Sequence, residues 1–366
     1  MRSSKASTRD FSATLKHYKK IIDVRLEAFF DERILDSDDF LKSSYSYLKD
    51  YVLRGGKRLR PILTIMAFKA VGGQEEEKIL WPAVGIELFH NSSLIHDDIM
   101  DEDSERRGMP SVHTYFGKLF LEEHEEKKYE GRIFRRMSER FGVSMAILQG
   151  DILYALTESC FTRSPFGANL VRRALDVIQR TYRVISEGQI LDILSEMRRD
   201  STQDHYLRVI ETKTAHLFKA AVEVGAILGG TTERQFNALS RYALSLGTAF
   251  QLQDDLMDIG PGLKGQAFGS DIRRGKFTLL MIKAFDTANA KQRRRLLSAL
   301  GNDKADRRTI QAAIDVLHAA GAVDEVKRFA LQKLDEGRSA LTGLGLSEGA
   351  WAFFEGLAHF MAYRKI

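Results

Sequence analysis

A single cysteine, Cys160, occurs in the 366 residues. No disulfide can form within the chain and no cysteine-based zinc cluster can be built. One unpaired thiol suits a reducing compartment, and Cys160 reads as a core residue rather than a nucleophile. Proline and glycine are also scarce, with 5 and 28 residues. Together they make about 9% of the chain, against an average near 12%. So few breakers over such a length favour long helices over many short strands. No run of eighteen apolar residues exists, which excludes a predicted membrane span. Residues 1–20 are rich in Ser, Lys and Arg and have no apolar core, so they do not read as a secretory signal. They are expected to be a solvated tail ahead of one domain over 21–366, in a cytoplasmic protein. Charge of one sign is not in excess either: 55 basic and 50 acidic residues leave +5, which permits an anionic ligand and decides nothing alone.

What is present is helical periodicity nearly everywhere. Apolar or small residues fall on steps of three and four over 82–103, with Pro82 suited to a first helical turn, and over 142–161. Further helices are predicted over 170–194, 212–228, 233–258, 278–288 and 350–363. Convincing period-two strands are absent. The expectation is an all-α, single-domain antiparallel helical bundle. Two segments interrupt it. Residues 119–140 are charge-dense and read as an insertion, either a solvated helix or an excursion between two bundle helices. Residues 260–275 hold five glycines and are expected to be a loop.

Chemistry concentrates in two acidic clusters, Asp97-Asp98-x-x-Asp101 and Asp254-Asp255-x-x-Asp258, each ending an apolar helical run. On a helix, residues four apart lie about 5–6 Å from each other on one face. Asp97 with Asp101, and Asp254 with Asp258, therefore present paired carboxylates. No lysine stands at i+4 to neutralise them, and acid at a helix C-terminus opposes the macrodipole. Mg²⁺ answers this need, because it takes one or two carboxylates and completes its shell with water and phosphate oxygens. The glycine and terminal glutamate of a calcium EF-hand loop are missing.

Cations stand nearby. Arg54-Gly55-Gly56-Lys57-Arg58-Leu59-Arg60-Pro61 is a glycine turn with cations ahead of a helix-starting proline, and Arg106-Arg107-Gly108 follows the first acidic cluster. Glycines let a ligand approach the backbone and Arg forks grip phosphate oxygens. Nucleic acid is disfavoured, since acidic clusters of this density would repel its backbone.

These motifs, in this order, together with Lys213-Thr214 and Phe250-Gln251 ahead of the second cluster, resemble those of the trans-polyprenyl diphosphate synthases. The resemblance implies a type I isoprenoid synthase fold around a deep central cavity, a homodimer, and about three Mg²⁺ ions per active site, with Mn²⁺ able to substitute. It implies that isopentenyl diphosphate condenses with an allylic diphosphate held by metal between the acidic motifs. Asp97, Asp98, Asp101, Lys213, Thr214, Gln251, Asp254, Asp255 and Asp258 are then the catalytic candidates, with Asp97, Asp101, Asp254 and Asp258 as metal ligands. Gly56, Lys57, Arg60, His90, Arg106, Arg107, Gln189 and Lys276 are the substrate-binding candidates. His96 would orient Asp97, and Asp192 would be a structural partner. One departure is plain: Gln266 stands where the family commonly has lysine after the second motif, with Lys264 near enough to compensate.

Product length follows from the same likeness. Ser93, Ser92 and Phe89 precede Asp97 by four, five and eight residues, about 6, 7.5 and 12 Å along a helix. Two serines leave a tunnel open and Phe89 could floor it, so an all-trans product of twenty carbons or somewhat more is expected. Geranylgeranyl diphosphate is the best single choice. Peripheral membrane contact would serve its release. A terpene cyclase would lack the Gly-Gly-Lys-x-x-Arg turn, and a non-catalytic partner subunit would carry degraded aspartate clusters.

Overall fold

The structure is a computed structural model describing residues 2–198, 201–260 and 268–362. Lys264 and Gln266 lie outside the described residues. The chain is built from helices α1 (Arg2–Leu35), α2 (Asp39–Leu53), α3 (Leu59–Ala70), α4 (Glu76–Met100), α5 (Val112–Glu123), α6 (Met137–Thr162), α7 (Ala168–Arg198), α8 (Gln203–Ile210), α9 (His216–Leu228), α10 (Glu233–Asp258), α11 (Ser270–Arg274), α12 (Leu279–Thr287), α13 (Ala290–Ala299), α14 (Arg307–Ala319), α15 (Ala322–Ala340) and α16 (Glu348–Ala362). A single π-helical turn, Glu211–Ala215, joins α8 to α9. Among the described residues no helix is long and apolar enough to cross a membrane.

Contacts divide the chain into two compact units, with boundaries inside α1, α3 and α7. One comprises Ala13–Ile65 and Gln74–Leu175. Its centre is α4 running antiparallel to α6, as three rungs record. Gly85 faces Cys160, Ser92 Oγ donates to the Gly150 carbonyl at 2.8 Å, and His96 Nε2 lies 3.2 Å from the Ile147 carbonyl. Phe89, Ile95, Ala146 and Leu153 are buried along these two helices, each large side chain contributing about 1.5–3 kcal/mol.

The other unit comprises Met1–Ser12, Met66–Gly73 and Asp176–Ile366. Thr232 starts α10 with a reciprocal capping box to Gln235. Leu252 and Leu256 of α10 enter a core with Leu279, Ile310, Ile314, Leu317 and Val326. Tyr242 Oη donates to the Phe354 carbonyl at 2.8 Å, tying α10 to α16.

Two expectations need correction. Residues 11–20 are not a solvated tail: α1 is helical from Arg2, and Phe11 and Tyr18 are buried. Its many charges concealed an apolar stripe. Pro82 is not in a first turn, because α4 begins six residues earlier at Glu76. Residues 119–140 end α5, loop through an isolated bridge between Lys128 and Arg136, and start α6 at Met137. A two-residue ribbon pairs Glu105–Arg106 with Met109–Pro110, too short to show a period. Its turn residues Arg107 and Gly108 have φ of 56° and 75°, the left-handed pair of a tight hairpin.

Candidate active site

The first acidic motif sits where α4 stops. The Asp103 amide donates back to the Asp98 carbonyl at 2.9 Å, with Glu102 left-handed at φ 53°, so the helix closes in a Schellman turn. The negative end of the helix dipole is thus reinforced by carboxylates, which favours cations there. The three aspartates divide. Asp98 is buried and turned inward, accepting from Tyr51 Oη of α2 at 2.9 Å and from Arg106 Nε at 2.7 Å. Burial pushes Asp98 up to about 6, against the pull of Arg106. Asp97 and Asp101 remain partly exposed. Arg106 Nη2 also lies 3.9 Å from Asp97 and 3.6 Å from Asp103, so this guanidinium belongs to the aspartate cluster. His96 bridges to α6, its Nε2 3.6 Å from Asp151 Oδ1.

The basic turn lies in the same unit. Gly55 and Gly56 have φ of 57° and 83°, and the Arg107 guanidinium lies against Gly56, 3.3 Å from where a Cβ would stand. Arg107 Nη1 donates to the Arg54 carbonyl at 2.5 Å. Arg60 Nη1 lies 3.1 Å from His90 Nε2, which joins the turn to α4. Burial pulls Arg60 down to about 10. Burial, then Arg60 and Arg107, hold His90 well below its ordinary value, so its ring is neutral. The buried His90 Nδ1 has no hydrogen-bond partner among the described residues. Lys57 is exposed at the mouth of the turn.

The second acidic motif divides as the first does. Asp255 is buried and accepts from Tyr206 Oη of α8 and from Gln251 Nε2, the latter at 3.0 Å. Burial, then Asp271, raise its carboxyl well above the usual range. Asp254 stays partly exposed. Asp258 differs: its Oδ1 and Oδ2 accept from the Ser270 and Asp271 amides at 3.0 and 3.1 Å. These bonds hold its carboxylate at the start of α11. The expected loop over 260–275 is therefore interrupted by a short helix.

Lys213 and Thr214 stand on the π-turn, a device common at functional positions. The turn widens the backbone, and two glycines make room for it. A Cβ on Gly188 of α7 would fall 2.5 Å from the Lys213 nitrogen, and one on Gly247 of α10 would fall 2.6 Å from the Ala215 Cα. Lys213 Nζ lies 2.6 Å from Asp192 Oδ2. Thr214 Oγ1 donates to Gln251 Oε1 at 3.0 Å. A relay thus runs from Thr214 through Gln251 to Asp255 and fixes which way the Gln251 amide faces. Gln189 is buried, and its Nε2 has no partner among the described residues. Lys276 is 4.0 Å from Asp271.

The product-length candidates are split. Phe89 and Ser92 are fully buried, Phe89 edge-on to the Tyr154 ring of α6 at 5.8 Å. Ser93 is partly exposed and donates to the His90 carbonyl at 2.8 Å. Sequence reasoning missed Tyr51 and Tyr206, the two anchors of the middle aspartates. They lie 47 and 49 residues from their partners, with no local pattern to mark them.

Among the described residues no three acidic, His or Cys side chains converge as a ready-made metal cage. Asp97 with Asp101, and Asp254, fit a hard cation that draws its other ligands from water and phosphate.

A family model described as polyprenyl synthetase matches residues 42–317. The chain is 35% identical over 319 residues to a geranylgeranyl diphosphate synthase of Methanosarcina mazei, covering 86% of this chain and 88% of that one. It is similar to the crystal structure of a geranylgeranyl pyrophosphate synthetase from Pyrococcus horikoshii. The TM-score is 0.81 at 32% identity, over 98% and 99% of the two chains. It is also similar to a geranylgeranyl pyrophosphate synthase from Corynebacterium glutamicum, complexed with isoprenyl diphosphate and magnesium. There the TM-score is 0.85 at 28% identity, over 94% and 98%.

Proposed function

We infer the function from one premise: this chain belongs to the polyprenyl synthetase family and is a trans-prenyltransferase. It condenses isopentenyl diphosphate with an allylic diphosphate to give an all-trans polyprenyl diphosphate of twenty carbons or more, with geranylgeranyl diphosphate as the main product. The observation that carries this reading is the division of labour within each acidic motif. A buried middle aspartate is anchored by a tyrosine, and the leading aspartate stays partly exposed.

Asp97, Asp101, Asp254 and Asp258 are assigned as ligands of about three Mg²⁺ ions, with Mn²⁺ as substitute. When bound, the metal neutralises charge on a departing diphosphate. Lys213 and Arg106 add cationic stabilisation of the same group. The allylic C1–O bond breaks with both electrons on the diphosphate. The isopentenyl double bond then attacks C1, and a proton leaves to the released diphosphate. Thr214, Gln251 and Gln189 turn oxygen lone pairs toward the allylic cation. Gly56, Lys57, Arg60, His90 and Arg107 hold isopentenyl diphosphate, the neutral His90 offering an N–H without adding charge. Lys276 contributes a further phosphate contact.

We assign the working form as a cytoplasmic homodimer. Ile147 and Leu148 stand exposed on α6, and Ile190 and Met197 stand exposed on α7, as subunit contacts would require. Ile133, 85% exposed in the charged loop before α6, suits peripheral contact with a membrane during product release. The test is incubation of the full chain with Mg²⁺, labelled isopentenyl diphosphate and C5, C10 or C15 starters. Dephosphorylated products of C20 or longer support the reading, and failure to elongate any starter contradicts it.

A further inference from the structure

One residue of the basic turn has a conformation that its type does not favour. Arg58 has φ 53°, left-handed and not a glycine, and is 2% exposed. Such backbone persists only where the surroundings hold it. The hold is ionic. Arg58 Nη1 donates to Glu87 Oε1 at 2.6 Å, and Nε donates to Asp23 Oδ1 at 2.8 Å. Glu87 is itself buried on α4, where Asn91 Nδ2 donates to the same Oε1 at 3.3 Å and to the Glu87 carbonyl at 2.8 Å. Glu87 is three residues before His90, whose ring meets Arg60. It is also the carboxylate whose field supports the charged forms of Arg60 and Arg107, both otherwise pulled down by burial.

We propose that Glu87 is a positioning residue for the isopentenyl diphosphate pocket: by clamping Arg58 it fixes the left-handed bend that sets Lys57 and Arg60 on either side of it, in register with His90. Arg58 is then an anchor rather than a ligand, although it stands between two residues assigned to the diphosphate. Three guanidiniums, Arg58, Arg60 and Arg107, share this corner with the carboxylates Glu87 and Asp23. The pocket therefore keeps a positive balance for an entering diphosphate. This proposal rests on the reading of Lys57, Arg60 and His90 given above.

The test measures steady-state kinetics of the full chain and of two variants, with melting curves to report folding. Glu87→Gln keeps the shape and removes the charge. It should raise the KM for isopentenyl diphosphate about ten-fold or more, while the allylic KM and the kcat at saturating substrate stay within about two- to three-fold. Adding Arg58→Gly removes the stranded guanidinium, and glycine accepts the left-handed bend without a clamp. The double variant should recover at least about three-fold of the lost affinity. If Glu87→Gln alone does not fold, the double variant decides, with an expected KM within about five-fold of the unmodified chain. An unchanged isopentenyl diphosphate KM in Glu87→Gln, an equal rise in both KM values, or no recovery in the double variant overturns the proposal. Failure of the unmodified chain to bind or use isopentenyl diphosphate would instead overturn the underlying reading of the pocket.

Discussion

Lys213 Nζ reaches Asp192 Oδ2 at 2.6 Å, from the π-turn after α8 back to α7. The pair holds the ammonium of a residue assigned to the departing diphosphate. Asp192→Ala should release it and lower kcat with the allylic substrate about ten-fold, while the melting temperature changes little. A partly exposed ion pair contributes only about 1 kcal/mol or less. Single-turnover rates beside a melting curve check this, and an unchanged rate contradicts it.

Asp254 and Asp255 are neighbours with different tasks. Asp254→Ala should cut turnover by about a hundred-fold or more and leave the fold intact, since Asp254 is only partly buried. Asp255→Ala should instead lower stability by about 1–3 kcal/mol, because Tyr206 would keep a buried donor, and Gln251 a half-buried one, without this acceptor. Urea unfolding and product assays on the two variants separate these outcomes. Equal stability losses contradict the division.

Phe89 fills space against Tyr154 with no exposed surface. Phe89→Ala should lengthen the main product by at least one isoprene unit and cost about 3–5 kcal/mol of stability. Chromatographic sizing of the dephosphorylated products reads the first effect. An unchanged distribution would mean that Phe89 is core packing and not a floor.

Cys160 is fully buried and its thiol is pushed up to about 12 by that burial. A thiol-specific reagent at pH 8 should leave the native chain unmodified and should label one thiol per chain in denaturant. Rapid native labelling would contradict its place in the α4–α6 packing.

Much of this was legible in the sequence where one periodic signal met one boundary signal. The predicted helix over 233–258 matches α10 because Thr232 caps an uninterrupted apolar pattern. The paired acidic motifs and the basic turn were legible for the same local reason. Features set by distant partners were not. Tyr51 and Tyr206 meet their aspartates only after folding, and the π-turn is visible only through the backbone space that Gly188 and Gly247 leave. The helix over the first twenty residues was hidden because charge density masks a narrow stripe that buries Phe11 and Tyr18. Asp258 reads as one more member of a motif, yet the chain uses it to start α11.

The most direct test is metal dependence of prenyl transfer by the full chain, with isopentenyl diphosphate and a C15 allylic starter. Added Mg²⁺ should give elongated product, a chelator should abolish it, and returned Mg²⁺ or Mn²⁺ should restore it. Transfer that continues undiminished after chelation would contradict the account.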